Sequence, residues 1–227
     1  MVLPADESHH ALHVLRVAPP DIVTVTDGNG GVARCAAARV SDGALVLEVL
    51  ETERMRRPRP ELVVYQGAAK GHKVDEVVEK LAELGAAEVH VYESKRSVVR
   101  WDEPKVSRLN ERWAGIARSA AKQSRSAFVM TATAGGSWTS LLRRVAQEPN
   151  VVVLWEEASL PLRTALLDGA ERIALVVGPE GGLEAGEAEA LADAGGQLVS
   201  LGPRILRTEN AAVVTAAALL YHYGLIG

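Results

Sequence analysis

Two short segments of this 227-residue chain have the residue types needed to hold a ligand by its backbone. The first is Gly178-Pro179-Glu180-Gly181-Gly182, which follows the apolar run Ile173 to Val177. Glycines let a backbone approach a ligand closely and leave N–H groups free to donate. A strand-to-helix turn needs one or two glycines; three with a proline favour a binding loop. The second is Leu201-Gly202-Pro203-Arg204-Ile205-Leu206-Arg207, which follows Gln197 to Ser200 and leads into Thr208-Glu209-Asn210. Ligands of open α/β sheets sit beyond the C-terminal ends of the strands, so two such loops, after two buried strands, predict facing walls. The spacing is not G-x-G-x-x-G, and no Gly-Lys-Ser/Thr follows. A dinucleotide fingerprint and a P-loop are therefore both excluded.

Other candidates carry less. His9, His10 and His13 lack a nearby carboxylate or cysteine pattern, so no metal site is expected. The single cysteine, Cys35, lies in a strand pattern and reads as core; it rules out a disulfide framework. The four tryptophans are too scattered for a base-stacking platform. The formal net charge of −4 argues against a general polyanion binder, yet Lys95 to Arg125 holds nine Lys and Arg against Asp102, Glu103 and Glu111. That stretch is either a phosphate-contacting patch or a solvated helix face; charge alone leaves both open.

The elements that must position these residues follow from periodicity. Residues 21–50 alternate as strands around the turn signals Asp27-Gly28-Asn29-Gly30-Gly31 and Ser41-Asp42-Gly43. Arg54 to Pro60, with two prolines, reads as a linker, which divides the chain into 1–57 and 58–227. Beyond it, strand runs (Glu61 to Gln66, Glu88 to Tyr92, Val151 to Trp155, Ile173 to Val177, Gln197 to Leu201) alternate with helical patterns. This order predicts an α/β domain with a parallel sheet. One helix, about 104–125, places Val106, Leu109, Trp113, Ile116 and Ala117 on one arc and Lys105, Arg108, Arg112, Arg118, Lys122 and Arg125 on the other. In the last helix Ala211, Ala212, Thr215, Ala218, Leu219 and His222 form the expected packing stripe, with Thr208 as its cap. No apolar run approaches the ~20 residues of a membrane span, and the N-terminus shows no signal-peptide pattern, so a cytoplasmic protein is expected.

The motifs Lys70-Gly71-His72-Lys73, Lys80 to Gly85, Arg96-Ser97, Arg112-Trp113 and Gln123-Ser124-Arg125, followed by the two glycine loops, stand in one order. That order resembles the bacterial 16S ribosomal RNA (uracil-N3)-methyltransferase family. His9-His10, Val14-Leu15-Arg16 and Asp27-Gly28 are similar to its N-terminal module. The resemblance implies a PUA-like β-barrel over 1–57 and, over 58–227, a SPOUT domain with a C-terminal trefoil knot, an exception to the rule against knots. It implies a homodimer that uses S-adenosylmethionine on small-subunit ribosomal RNA, with Gly178 to Gly182, Leu154, Leu201, Gly202, Ile205 and Leu206 at the cofactor. RNA contacts would come from His9, His10, Arg16, Lys70, Lys73, Arg96, Arg112, Arg125 and Arg204. The sequence departs from the family's pattern at Ser119 and Lys122, where Glu is usual, at Met130, often Pro, and at Asn210, usually Thr.

Uracil N3 must lose a proton before it can attack, and the charge that develops needs a donor. Arg207 is the candidate donor and Glu209 the candidate base; a contact to phosphate or carboxylate for Arg207 and a helix N-terminal charge for Glu209 are the plainer alternatives. A methyltransferase of another RNA site and a non-catalytic RNA-binding protein of this fold remain open at this stage.

Overall fold

The computed structural model describes residues 1–227 and divides them into two compact units, Met1–Arg57 and Pro58–Gly227. The first opens with a short helix α1 (Ala5–His9), continued by a π-helical turn His10–Val14. Three antiparallel strands follow: β1 (Ile22–Thr26), β2 (Gly31–Ser41) and β3 (Ala44–Arg54), in the order β1-β2-β3. The turn between β1 and β2 closes on Asp27, whose Oδ1 accepts from the N–H groups of Asn29 (2.7 Å) and Gly31 (2.8 Å). Cys35 is buried with Ala37, Leu45 and Leu47 in this unit's own core. Strand β3 reaches Arg54, paired with Gly31, so the linker begins one residue later than the arginine-rich stretch predicts.

The second unit is built on six parallel strands in the order β6-β5-β4-β8-β7-β9. Their ranges are β4 (Glu61–Gly67), β5 (Glu88–Glu93), β6 (Thr131–Ser137), β7 (Val151–Leu154), β8 (Arg172–Val177) and β9 (Gly196–Val199). The central strands are apolar throughout because both faces are covered. Leu62, Val64, Ile173, Leu175 and Val177 face one side, against α2 (Lys73–Glu83), α3 (Glu103–Ser124) and α6 (Thr208–His222). Val63, Tyr65, Ala174 and Val176 face the other, against α4 (Trp138–Val145) and α5 (Ala185–Asp193). Helix α3 begins where Asp102 Oδ1 accepts from Lys105 N–H (2.9 Å), with Pro104 in its first turn. Strand β6 and helix α4 have no counterpart in the sequence reading. Gly135 and Gly136 interrupt the pattern of β6, and α4 is only eight residues long.

Two expectations for α6 are corrected. Its buried face carries Ala211, Ala212, Thr215, Ala216, Leu219 and Leu220, whereas Ala218 and His222 are exposed. The helix is apolar around its circumference, so periodicity does not fix which side turns inward. Thr208 does not cap it either; Arg207 occupies the cap position, and the Thr208 hydroxyl bonds elsewhere.

Candidate active site

The C-terminal ends of β7, β8 and β9 open into a cavity of about 600 Å³. Leu154, Gly178, Pro179, Glu180, Gly181, Gly182, Leu201, Gly202, Ile205 and Leu206 all line it, so the two loops do face one another. Arg204 and Arg207 line it as well; Glu209 does not. Trp155, Glu156 and Ala211 are walls that the sequence did not mark as such, and Ser200 and Thr208, at the two ends of the second loop, line it too. Glu156 is the second residue past the end of β7, a position signalled only by its place beyond a strand terminus.

Glycine is required at two places here, by its backbone conformation in the loop and by a close approach beneath it. Gly182 has φ +71°, and a Cβ there would come within 2.8 Å of Glu156 Oε1. A Cβ on Gly67, at the end of β4, would lie 2.3 Å from the Pro179 nitrogen. The first loop is thus packed directly on the backbone of the neighbouring strand. It turns on itself through Gly182 N–H to Pro179 O (3.0 Å).

The loop is also gripped from outside. Lys73 donates to Glu180 in a short contact, and Lys70 N–H donates to the same carboxylate. The Lys73 ammonium holds the Glu180 carboxyl below its ordinary range, and Glu180 raises Lys73 in return. The charges of Glu209 and Arg207 also act on Lys73, with opposite sign. Arg96 donates to Gly181 O (2.9 Å) and lies 3.7 Å from Glu184. Glu180 therefore serves the loop as a tether through its carboxylate, whatever its backbone does in the cavity.

Asp75 organises the segment before α2. Burial pushes its carboxyl up, but hydrogen bonds from His72 (2.9 Å), Trp113 Nε1 (2.8 Å) and Arg112 (2.8 Å) outweigh this and hold it low. Arg112 is thus paired within the fold and half exposed. Arg125 ends α3 in the left-handed conformation, φ +57°, with its side chain in solvent. His9, His10 and Arg16 belong to the first unit; His9 packs on His13 with ring centroids 4.6 Å apart, and Arg16 has φ +58°. No group of three or more His, Cys, Asp or Glu side chains is placed to hold a metal ion. No helix is long and apolar enough to cross a membrane.

A family model described as an RNA methyltransferase domain matches residues 56–220, and one described as an RNA methyltransferase PUA domain matches residues 3–50. The chain belongs to this RNA methyltransferase family. Ribosomal RNA small subunit methyltransferase E of Mycobacterium tuberculosis is 36% identical over 222 residues, covering 96% of this chain and 85% of that protein. The protein of the same name from Bacillus subtilis is 32% identical over 229 residues, covering 97% and 90%. The crystal structure of ribosomal RNA small subunit methyltransferase E from Neisseria gonorrhoeae, bound to S-adenosyl methionine, is similar with a TM-score of 0.85. It is 26% identical and covers 98% of this chain and 91% of its own.

Proposed function

We propose that this chain methylates N3 of a uridine in 16S ribosomal RNA, with S-adenosylmethionine as donor. The observation that carries the reading is the convergence of both glycine loops on one cavity beyond β7, β8 and β9, in a member of an RNA methyltransferase family. The residues present suit the donor. Leu154, Val199 and Leu206 offer apolar surface for a purine, loop backbone offers hydrogen bonds, and no lysine lines the cavity as a phosphate clamp would require. Glu156 has no hydrogen-bond or ion-pair partner and suits a cationic ligand.

S-adenosylmethionine, when bound, supplies a methyl group already activated on a sulfonium. The chain's part is to hold donor and base in line and to manage one proton. Glu209 is our candidate for removing the N3 proton: its Oε2 has no donor, though it does not line the cavity and must leave its buried place to reach the base. Arg207, at the cavity mouth, is our candidate for stabilising the uracil anion. N3 is blocked in a base pair, so the target uridine is unpaired or turned out. RNA contacts of the second unit would include Lys70, Arg96, Arg125 and Arg204; those of the first unit, taken by itself, would be His9, His10 and Arg16. Lys73 and Arg112 would join those of the second unit by exchanging Glu180 and Asp75 for phosphate.

We also infer a cytoplasmic homodimer. Val214, Ala218 and Tyr221 lie exposed on α6 (Tyr221 at 72%), an apolar side that a second copy would cover. Small ribosomal subunits from cells lacking the activity, incubated with labelled donor, should acquire one N3-methyluridine, located by mass spectrometry of nuclease fragments. A label at another atom or another RNA would replace the substrate assignment. Failure of S-adenosylhomocysteine to bind in calorimetry would remove the cofactor reading altogether.

A further inference from the structure

Gln66, the penultimate residue of β4, is 1% exposed and does not line the cavity. Its side-chain nitrogen has two protons, and both are used. One goes to the Gly67 carbonyl (3.0 Å) and the other to Thr208 Oγ1 (2.8 Å). The carbonyl can only accept, which fixes the amide with its nitrogen on this side. Thr208, accepting from Gln66, has its own proton left for the Gly178 carbonyl at 2.6 Å. The relay therefore runs one way: Gln66 N–H to Thr208 O–H to Gly178 C=O. It joins the end of β4, the first turn of α6 and the first residue of the glycine loop. The same loop is the one that the backbone of Gly67 touches, where a Cβ would lie 2.6 Å from Gly178 C.

Gln66 Oε1 is buried without a donor. An orphaned buried acceptor is destabilising, a cost that leucine or methionine would avoid in the same space. The amide's donors thus have a use that packing alone does not explain. We propose that Gln66 is a positioning residue for methyl transfer, acting through Thr208 to hold Gly178 and set the spacing between the loops 178–182 and 201–207. This rests on reading the cavity as the methyl-donor site.

The test compares the full-length wild type with Gln66→Glu, Gln66→Leu, Thr208→Val and Thr208→Ser. The readouts are S-adenosylhomocysteine affinity by calorimetry, KM for donor and for RNA, and thermal melting. Gln66→Glu keeps the size but, once ionised, presents only acceptors, so it draws the Thr208 proton toward itself and releases Gly178; burial raises its carboxyl pKa, so its loss is read at alkaline pH. The expected result is a loss of about tenfold in affinity for Gln66→Glu, Gln66→Leu and Thr208→Val, equivalent to ~1.4 kcal/mol. Thr208→Ser should stay within about twofold, and the KM for RNA should not move. Gln66→Glu should recover affinity as pH falls, because a protonated carboxyl donates again. Combining Gln66→Leu with Thr208→Val should add little to the larger single loss, as expected for members of one chain of hydrogen bonds.

The relay is overturned if folded Thr208→Val binds like wild type, if Thr208→Ser falls as far as Thr208→Val, or if the two losses multiply. Should Gln66→Glu fail to fold, the Thr208→Val and Thr208→Ser pair decides alone. Wild type that does not bind S-adenosylhomocysteine overturns the cofactor reading and this inference with it; wild-type binding with unaffected variants overturns the relay only.

Discussion

At the scale of single residues, charge and space inside the cavity make separate predictions. Glu156 stands against Gly182 without a cation of its own. Glu156→Gln keeps the shape and removes the charge, so affinity for S-adenosylmethionine should drop about three- to fivefold, the size of a partly exposed charge contact of up to ~1 kcal/mol. Titration calorimetry reads this directly, and an unchanged affinity would leave the carboxylate without a part in binding. Gly67→Ala tests space instead. Its Cβ would sit 2.3 Å from the backbone of Pro179, which cannot swing aside as a side chain can. Forcing in one carbon of this kind costs about 1–3 kcal/mol. The chain should still unfold cooperatively, at a lower temperature, and lose cofactor binding because the loop is displaced.

At the scale of elements, what the sequence revealed and what it hid have different physical origins. The glycine loops were legible because their geometry depends on local freedom that only glycine supplies. Gln66 and Thr208 were not, because their hydrogen bond joins residues 142 positions apart. Asp75 reads as one more acid on α2 until Trp113 and Arg112 arrive from α3. Helix α3 was legible from its two arcs, whereas the inward side of α6 was not, since nearly every side is apolar. The C-terminus of α3 offers a prediction that separates folding from RNA binding. Arg125 pays for a left-handed backbone that glycine adopts freely. Arg125→Gly should leave melting temperature unchanged or raise it, since the left-handed strain of about 1–2 kcal/mol is relieved. If Arg125 contacts phosphate, the same variant should bind RNA more weakly and show a salt-dependence slope smaller by about one. A variant that melts higher and binds RNA with the wild-type slope would place Arg125 outside the RNA contacts.

At the scale of the whole second unit, the sheet divides its labour between its two ends. The cavity lies beyond the C-terminal strand ends, while the other end is clamped by charge. Arg172, which opens β8, meets Glu148 (2.8 Å), Glu61 (3.3 Å) and Glu88 (3.1 Å), so one guanidinium ties β4, β5 and β8 to the chain after α4. Tyr65 donates to Glu148 (2.9 Å), and His90 bridges Glu88 (2.7 Å) and Thr133 (2.7 Å). The His90 hydrogen bond, with Arg172 assisting and burial opposing, lowers Glu88 from 4.5 to about 2. A carboxyl whose folded pKa is depressed contributes stability above its unfolded pKa and loses it as pH falls through the folded one. Glu88 should therefore support the fold fully at neutral pH and lose that contribution as pH falls from 4.5 to about 2. Asp75 and Glu180 are lowered too, so wild-type melting temperature in acid reports several groups together. The decisive quantity is the difference from Glu88→Gln. The variant should melt lower than wild type at neutral pH, and the gap should narrow toward pH 2, since protonation takes from wild type what the substitution has already removed. A gap constant with pH would assign Glu88 a packing role and move the acid sensitivity to Asp75 and Glu180. Because the clamp lies at the strand ends away from the cavity, Glu88→Gln should also keep wild-type affinity for S-adenosylhomocysteine at neutral pH wherever the protein remains folded.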